Sequence, residues 1–103
     1  MKAHRNHLLK RIIKAGLQVK LRQRVVCVGI DNRGRVIDIV VNRPYLQKRG
    51  RHAEERLIFR NPKSLSTIIL ARVSKLGTLM PIEPCETCAK LIKKRGIKIE
   101  IWE

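Results

Sequence analysis

The stretch from Arg24 to Ile30 constrains the fold most strongly, because its residues are apolar on both faces of a strand. Such a strand is expected inside a sheet that other elements cover on both sides. A turn sequence at residues 31–34 and a second β-branched run from Val36 to Val41 follow it directly. The sequence therefore predicts an antiparallel hairpin made of these two strands.

Helical and strand-like patterns alternate through the rest of the chain. Apolar residues at helical spacing predict an amphipathic helix around residues 8–14, with Gly16 as its stop. The later predicted elements are a helix at His52–Arg60, a strand at Ser66–Val73, a loop at Ser74–Glu83, a helix from Pro84 to about Arg95, and a last strand over Ile97, Ile99 and Ile101. This order predicts the α/β class, with a mixed sheet of about four strands between helices.

The charge of the chain is strongly basic. It has 24 lysine and arginine residues against 8 acidic residues, which gives a formal net charge of +16. Such a chain should attract polyanions, which include nucleic acid, nucleotides and an acidic membrane face. The alternative is that the charge serves generic solubility.

The chain shows no sign of a membrane span or of a signal peptide. Its uncharged stretches are far shorter than the roughly 18 residues that a span needs. The start, Met1 to Lys14, carries many charges and lacks the apolar centre of a signal peptide. We therefore expect a cytoplasmic, intracellular protein without a membrane partner. Its three cysteines are then expected to bind metal or to pack in the core.

Two short segments carry residues suited to metal chemistry, His52-Ala53-Glu54 and Pro84-Cys85-Glu86-Thr87-Cys88. Cys85 and Cys88 are three residues apart, so on a helix they share one face, and a helix N-terminus favours thiolates. At the start of its own helix, His52 can reach a point beyond the helix end. We predict a Zn²⁺ ion held by His52, Cys85 and Cys88, with the fourth position left for water as in catalytic sites.

Glu54 is the expected proton carrier of this site. Zinc lowers the pKa of a bound water from about 9 in aqueous zinc to about 7. Glu54, which is not expected to be a ligand, would take a proton from this water and pass it on to the reacting molecule as a general acid/base. A lone C-x-x-C is often a structural zinc knuckle or a redox pair, so a purely structural zinc stays an alternative.

Three residues near these segments have less direct roles. Cys27 lies within an apolar strand and is predicted to be a small buried core residue. Glu55 and Glu86 flank the motif residues, and each either supports the ligands or belongs to the solvated surface.

We predict one domain, with a basic N-terminal helix and connector at residues 1–22 and a zinc-binding catalytic core at residues 23–103.

The two segments resemble the H-x-E and P-C-x-x-C signature of the cytidine and deoxycytidylate deaminase superfamily, over about Arg24 to Trp102. The run Pro84 to Ile92, followed by Gly96-Ile97-Lys98, is similar to the second zinc motif of deoxycytidylate deaminases. Bacterial tRNA adenosine deaminases are similar in other features, namely Asn42-Arg43-Pro44 ahead of His52 and Glu83 before Pro84. Compact deaminase-like proteins of viruses and phages have a stretch similar to Ala71-Arg72-Val73 with Gly77.

The resemblance implies a three-layer α/β/α sandwich, a zinc cofactor, and substrate contacts from Asn42 and from the Ala53 amide. For Asn42, the alternative is that it caps the end of a strand. Members of the superfamily usually continue to a fifth strand and a further helix, which do not follow the fourth predicted strand here. The open sheet edge would favour self-association, so we expect a homo-oligomer.

Three functions are compatible with the sequence. The first is a hydrolytic deaminase of free cytidine or deoxycytidylate, and the second is a deaminase of cytosine, or adenine, within single-stranded DNA or RNA. The third is a non-catalytic basic nucleic-acid-binding protein with a structural zinc, against which the presence of Glu54 argues. The loop Arg43–Arg51 supports the second function, because its cations can contact phosphates and its tyrosine can stack on a base, unless it is only a solvated charge run. The predicted contact residues are Arg43, Tyr45, Lys48, Arg49 and Arg51.

Overall fold

The computed structural model describes residues 2–20, 22–42 and 53–103. The predicted zinc ligand His52 and the predicted contact loop Arg43–Arg51 lie outside the described residues. The helices are α1 (Lys2–Leu17), α2 (Ala53–Arg60) and α3 (Glu86–Lys94). The strands are β1 (Val25–Ile30), β2 (Val36–Val41), β3 (Thr67–Val73), β4 (Leu79–Met80) and β5 (Lys98–Trp102). Within these ranges, no helix is both long enough and apolar enough to cross a membrane.

The strands form one mixed sheet. β1 lies between β2 and β3 and pairs antiparallel with both. The other side of β3 is shared, because residues 67–71 pair parallel with β5 whereas Arg72 and Val73 pair antiparallel with β4. The β1–β2 hairpin and the parallel β3–α3–β5 connection confirm the predicted mixed sheet. The stretch Ser74–Glu83, predicted to be a loop, contains the two-residue strand β4.

The helices cover both faces of this sheet. On one face, Val25 and Cys27 of β1 pack in a buried cluster with residues of α2 and α3. On the other face, Val26 and Val28 pack in a second cluster that includes Ile12 of α1. This two-sided burial explains why β1 is apolar at every position, and it gives the three layers predicted from the sequence.

Gly16 sets how closely α1 approaches the sheet. The helix continues through Gly16 to Leu17, so the prediction that Gly16 stops it is wrong. A Cβ atom at this position would lie 2.5 Å from a Cγ atom of Val73. Glycine is therefore needed here because the helix backbone lies directly against β3, and no helix stop is involved.

Asp31 closes the β1–β2 hairpin. Its Oδ1 atom accepts hydrogen bonds from the backbone N–H groups of Arg33 at 3.0 Å and Arg35 at 2.9 Å. The N–H of Arg35 makes the largest contribution to holding the pKa of Asp31 below its ordinary value. Gly34 follows with a φ of +80°, a conformation that favours glycine. The hairpin register places Cys27 opposite Val40.

The start of α3 differs from the prediction by two residues. Pro84 was the expected first helical residue, but the helix begins at Glu86 and Cys85 is its N-cap. The backbone of Cys85 is extended, with φ −65° and ψ 158°, which turns its side chain back toward the first N–H groups of the helix. Gly96, with a φ of +68°, follows the helix as predicted.

Candidate active site and metal centre

Three reactive side chains meet where α2 and α3 begin. Glu54 is the second residue of α2, Cys85 is the N-cap of α3, and Cys88 lies one turn further along α3. A carboxylate oxygen of Glu54 and the two Sγ atoms all lie within 4.8 Å of one another. The fold thus brings both predicted cysteine ligands to the predicted proton carrier, although β3 and β4 separate them along the chain.

Local hydrogen bonds orient the two sulfur atoms. The backbone N–H of Cys88 donates to Sγ of Cys85 at 3.3 Å, which holds that sulfur over the positive end of α3. The side chain of Cys88 is fully buried, and burial makes the largest contribution to raising the pKa of its thiol. Oε1 of Glu55 lies 3.8 Å from Sγ of Cys88 and accepts a weak hydrogen bond from it.

Glu54 is an unusual residue to find in an interior. It is 5% exposed and is the only charged side chain that is buried among the described residues. Its Oε1 atom lies 4.0 Å from Sγ of Cys27. No salt bridge within the described part of the chain involves Glu54. Because a buried carboxylate is costly without a compensating charge, this cluster is suited to a cation.

The donor set fits zinc. Tetrahedral zinc binds thiolates at about 2.3 Å, which puts two sulfur ligands about 3.8 Å apart. The Sγ atoms of Cys85 and Cys88 lie within 4.8 Å of each other, so they need little adjustment. Sulfur ligands favour zinc over magnesium or calcium, which prefer oxygen. The predicted third protein ligand, His52, immediately precedes α2 in the sequence.

A cleft of about 460 Å³ opens at this cluster, and Glu54 and Cys85 form part of its lining. Arg72 also lines it. Because side chains alternate along β3, Arg72 lies on the same face as Leu70, the face that α2 and α3 cover. Its guanidinium forms no salt bridge with a described residue. The remaining polar residues of the lining are Gln23 and Glu83. A ligand in the cleft would therefore meet one cation and two carboxylates, of which that of Glu54 is buried.

The two predicted substrate contacts have structural roles of their own. Oδ1 of Asn42 accepts a hydrogen bond from the N–H of Val25 at 3.0 Å, and its Nδ2 donates to the carbonyl of Gln23 at 2.9 Å. Asn42 therefore caps the end of the hairpin, which was the alternative to substrate contact. Ala53 is fully buried in the core cluster beneath α2. For both residues, contact with substrate stays a prediction.

The two glutamates that flank the motifs differ in environment. Glu55 contacts Sγ of Cys88, as described above. The side chain of Glu86 is 84% exposed and pairs with Lys90 on the helix surface at 3.2 Å. Glu55 therefore supports the cysteine pair, whereas Glu86 belongs to the solvated surface.

The sequence analysis missed the contact between Cys27 and Glu54 and the position of Arg72 in the cleft. The alternation of side chains along β1 and β3 carries part of this information. Cys27 is two residues from Val25 and Arg72 is two residues from Leu70, so each lies on the face of the sheet that α2 and α3 cover. That signal identifies the face of the sheet. It does not identify which side chain on that face reaches the cleft.

Comparison with solved structures identifies the fold. The crystal structure of cytidine deaminase from Mycobacterium leprae matches with a TM-score of 0.61 and 20% sequence identity, over 91% of this chain and 84% of that chain. The cytidine deaminase from Mycobacterium tuberculosis matches with a TM-score of 0.59 and 18% identity, over 95% of this chain and 83% of that chain. No family model and no curated protein matches the sequence. The chain therefore has the three-layer fold seen in cytidine deaminases, as the resemblance implied.

Proposed function

We propose that this protein is a zinc-dependent hydrolytic deaminase that converts the cytosine base of a nucleotide to uracil. The observation that carries the proposal is the cluster of Glu54, Cys85 and Cys88, whose ligand atoms lie within 4.8 Å of one another beside a cleft. The fold shared with cytidine deaminases supports it. With His52, Cys85 and Cys88 as the proposed ligands, Glu54 is a buried carboxylate that a purely structural zinc site would not need.

The metal would be held by Cys85, Cys88 and the predicted ligand His52. When bound, zinc supplies Lewis acidity that makes water a nucleophile near neutral pH. The helix start that holds Cys85 and the buried position of Cys88 keep both sulfur atoms in place. Three protein ligands leave one position for the reaction, as in other catalytic zinc sites.

Glu54 would move the protons. The reaction adds water to the amine-bearing carbon of cytosine and releases ammonia, so a C–O bond forms and a C–N bond breaks. The carboxylate of Glu54 takes a proton from the attacking water and returns it to the adjacent ring nitrogen, and it assists the second proton transfer to the departing amine. Its burial leaves only a small part of the carboxylate open to the cleft through which a substrate would approach.

The test is ammonia release by zinc-loaded protein from a panel of cytidine, deoxycytidylate, single-stranded DNA, RNA and adenosine-containing tRNA. Glu54→Gln should lower the rate on the true substrate by about 10²–10⁴-fold while zinc content and fold persist. Glu86→Gln is the matched control and should keep full activity, because Glu86 follows the proposed ligand Cys85 in the sequence but its side chain lies on the surface. Near-normal activity of Glu54→Gln would overturn the mechanism, and zinc-loaded protein that is inactive on the whole panel would overturn the function.

A further inference from the structure

We infer that the groove between α1, the outer edge of β2 and α2 binds the sugar–phosphate backbone of a single-stranded polynucleotide, so that the cytosine substrate belongs to a polymer. The choice of substrate rests on the proposed deaminase function. The binding of the backbone does not, and it can be measured separately.

The groove is large and basic. Its volume is about 570 Å³, and Lys20, Arg56 and Arg60 line it. No acidic side chain is among the described residues of the lining. Arg60 pairs with Asp38 at 3.2 Å but remains 55% exposed, and Lys20 is exposed. Positive charge thus collects at this groove in a chain whose formal net charge is already +16.

The cations reach the edge of the sheet from both of its faces. Lys20 follows the C-terminal end of α1 on one face, whereas Arg56 and Arg60 belong to α2 on the other. The N–H of Asn42 bonds to the carbonyl of Val25, so the neighbouring carbonyl of Val41 points away from β1. Arg56 donates a hydrogen bond to that carbonyl, which holds its guanidinium at the outer edge of β2.

The groove lies next to the cleft that Glu54 lines. Asn42 lines the groove, and its side chain is hydrogen-bonded to the backbone of Gln23 and Val25, which both line the cleft. The two depressions are therefore separated by Asn42 and its two hydrogen-bonded partners. A strand with its backbone in the groove can place a neighbouring base at the cleft.

The number of cations favours a polymer over a free nucleotide. A nucleoside monophosphate such as deoxycytidylate carries a single phosphate group, whereas a strand presents one phosphate per residue to the three cations of the groove. A single strand is favoured over a duplex, because an enzyme cannot reach the reacting carbon of a base that is stacked and paired. The groove residues are separate from the predicted contact loop Arg43–Arg51, so they provide an independent reason to expect a polynucleotide.

The test compares two double variants that lose equal charge. Lys20→Ser with Arg60→Gln removes two groove cations and keeps Arg56, whose hydrogen bond closes the edge of β2. Lys75→Ser with Lys93→Ser removes two exposed cations that line neither depression. Binding of zinc-loaded protein to a labelled oligothymidine is measured against salt, because this probe contains no cytosine and its binding does not depend on catalysis.

The groove variant should reduce the slope of log affinity against log salt by about 1.4, about 0.7 for each of two lost phosphate contacts. The control should change the slope much less. An equal change in the two variants, or an unchanged slope in the groove variant, would overturn the binding groove even if deoxycytidylate is deaminated.

Turnover decides the substrate class: the groove variant should lose more activity on cytosine-containing single strands than on free deoxycytidylate. Efficient turnover of deoxycytidylate with single strands left untouched would overturn the polymeric substrate, and inactivity on both would count against the proposed function but not against the groove.

Discussion

The Sγ atom of Cys27 lies 4.0 Å from Oε1 of Glu54, so an inner strand of the sheet, β1, contacts the proposed proton carrier. Cys27 is fully buried, and its burial raises the pKa of the thiol well above its ordinary value. The thiol therefore stays protonated and can donate to the carboxylate. This contact makes β1 part of the site, although β1 carries none of the predicted zinc ligands.

Replacing Cys27 should affect the rate more than the metal. Cys27→Val removes the donor to Glu54. A thiol at 4.0 Å makes a weak hydrogen bond, so its loss should cost at most about 1 kcal/mol, which corresponds to at most about a five-fold lower rate. Cys27→Ser keeps a donor at this position and should retain more activity. Both should bind zinc as the unmodified protein does, which metal analysis and ammonia release on the same samples would check. Zinc loss in Cys27→Ser would instead make Cys27 a ligand.

Zinc content should depend on the paired cysteines. We expect about one zinc per chain, and Cys85→Ala should lower the occupancy sharply, because it removes a thiolate and the acceptor of the Cys88 N–H. His52→Ala should have the same effect, as His52 is the predicted third ligand. Metal analysis after dialysis against a weak chelator measures this, with Cys27→Ser as the cysteine control. Full occupancy in Cys85→Ala would remove it from the ligand set.

The hairpin should be sensitive to acid through Asp31. The pKa of this carboxyl is lowered in the folded state, so its stabilising effect is present above its unfolded pKa of about 3.9 and is lost as the pH falls through the lower folded pKa. Asp31→Asn should therefore be less stable than the unmodified protein near neutral pH, and the difference should shrink as the pH approaches about 2. Urea unfolding of both proteins at matched pH measures the difference. A difference that is constant over this range would contradict the prediction, and the exposed Glu86→Gln serves as a control.

The sequence predicts most of this fold because its strongest patterns are local. The apolar stretch of β1, the turn at Asp31 and the alternation around Ile99 each reflect a periodicity that the backbone follows directly. Gly16 was interpreted wrongly because the interpretation rested on the local pattern alone. Its role depends on the approach of Val73 from another element, and no local pattern encodes such an approach.

The same limit applies to the candidate site: features within one short segment were predictable, and contacts between separate elements were not. Cys85 and Cys88 could be paired from their spacing, and Glu54 from its position in the motif, because these features lie within short segments. The contact of Cys27 with Glu54 and the position of Arg72 in the cleft depend on how β1 and β3 pack against α2 and α3. The basic groove also depends on packing between elements, because Lys20 follows α1 on one face of the sheet and Arg56 belongs to α2 on the other.

The close approach of α1 to the sheet should make Gly16 intolerant of any side chain. The Cβ atom of Gly16→Ala would lie 2.5 Å from a Cγ atom of Val73, which is 1% exposed and cannot move freely. Overpacking of this kind costs about 1–3 kcal/mol. The gain from alanine should be smaller, because the value of about 1 kcal/mol holds for a helix interior and Gly16 is the last residue but one of α1. The net result should be a lower urea midpoint with an unchanged slope. The double variant Gly16→Ala with Val73→Gly removes every Val73 atom that clashes, including the Cβ atom at 2.6 Å, so Gly16→Ala should destabilise the Val73→Gly background less than it destabilises the unmodified protein. If the two substitutions are additive, the contact between α1 and β3 is not the reason for glycine at this position.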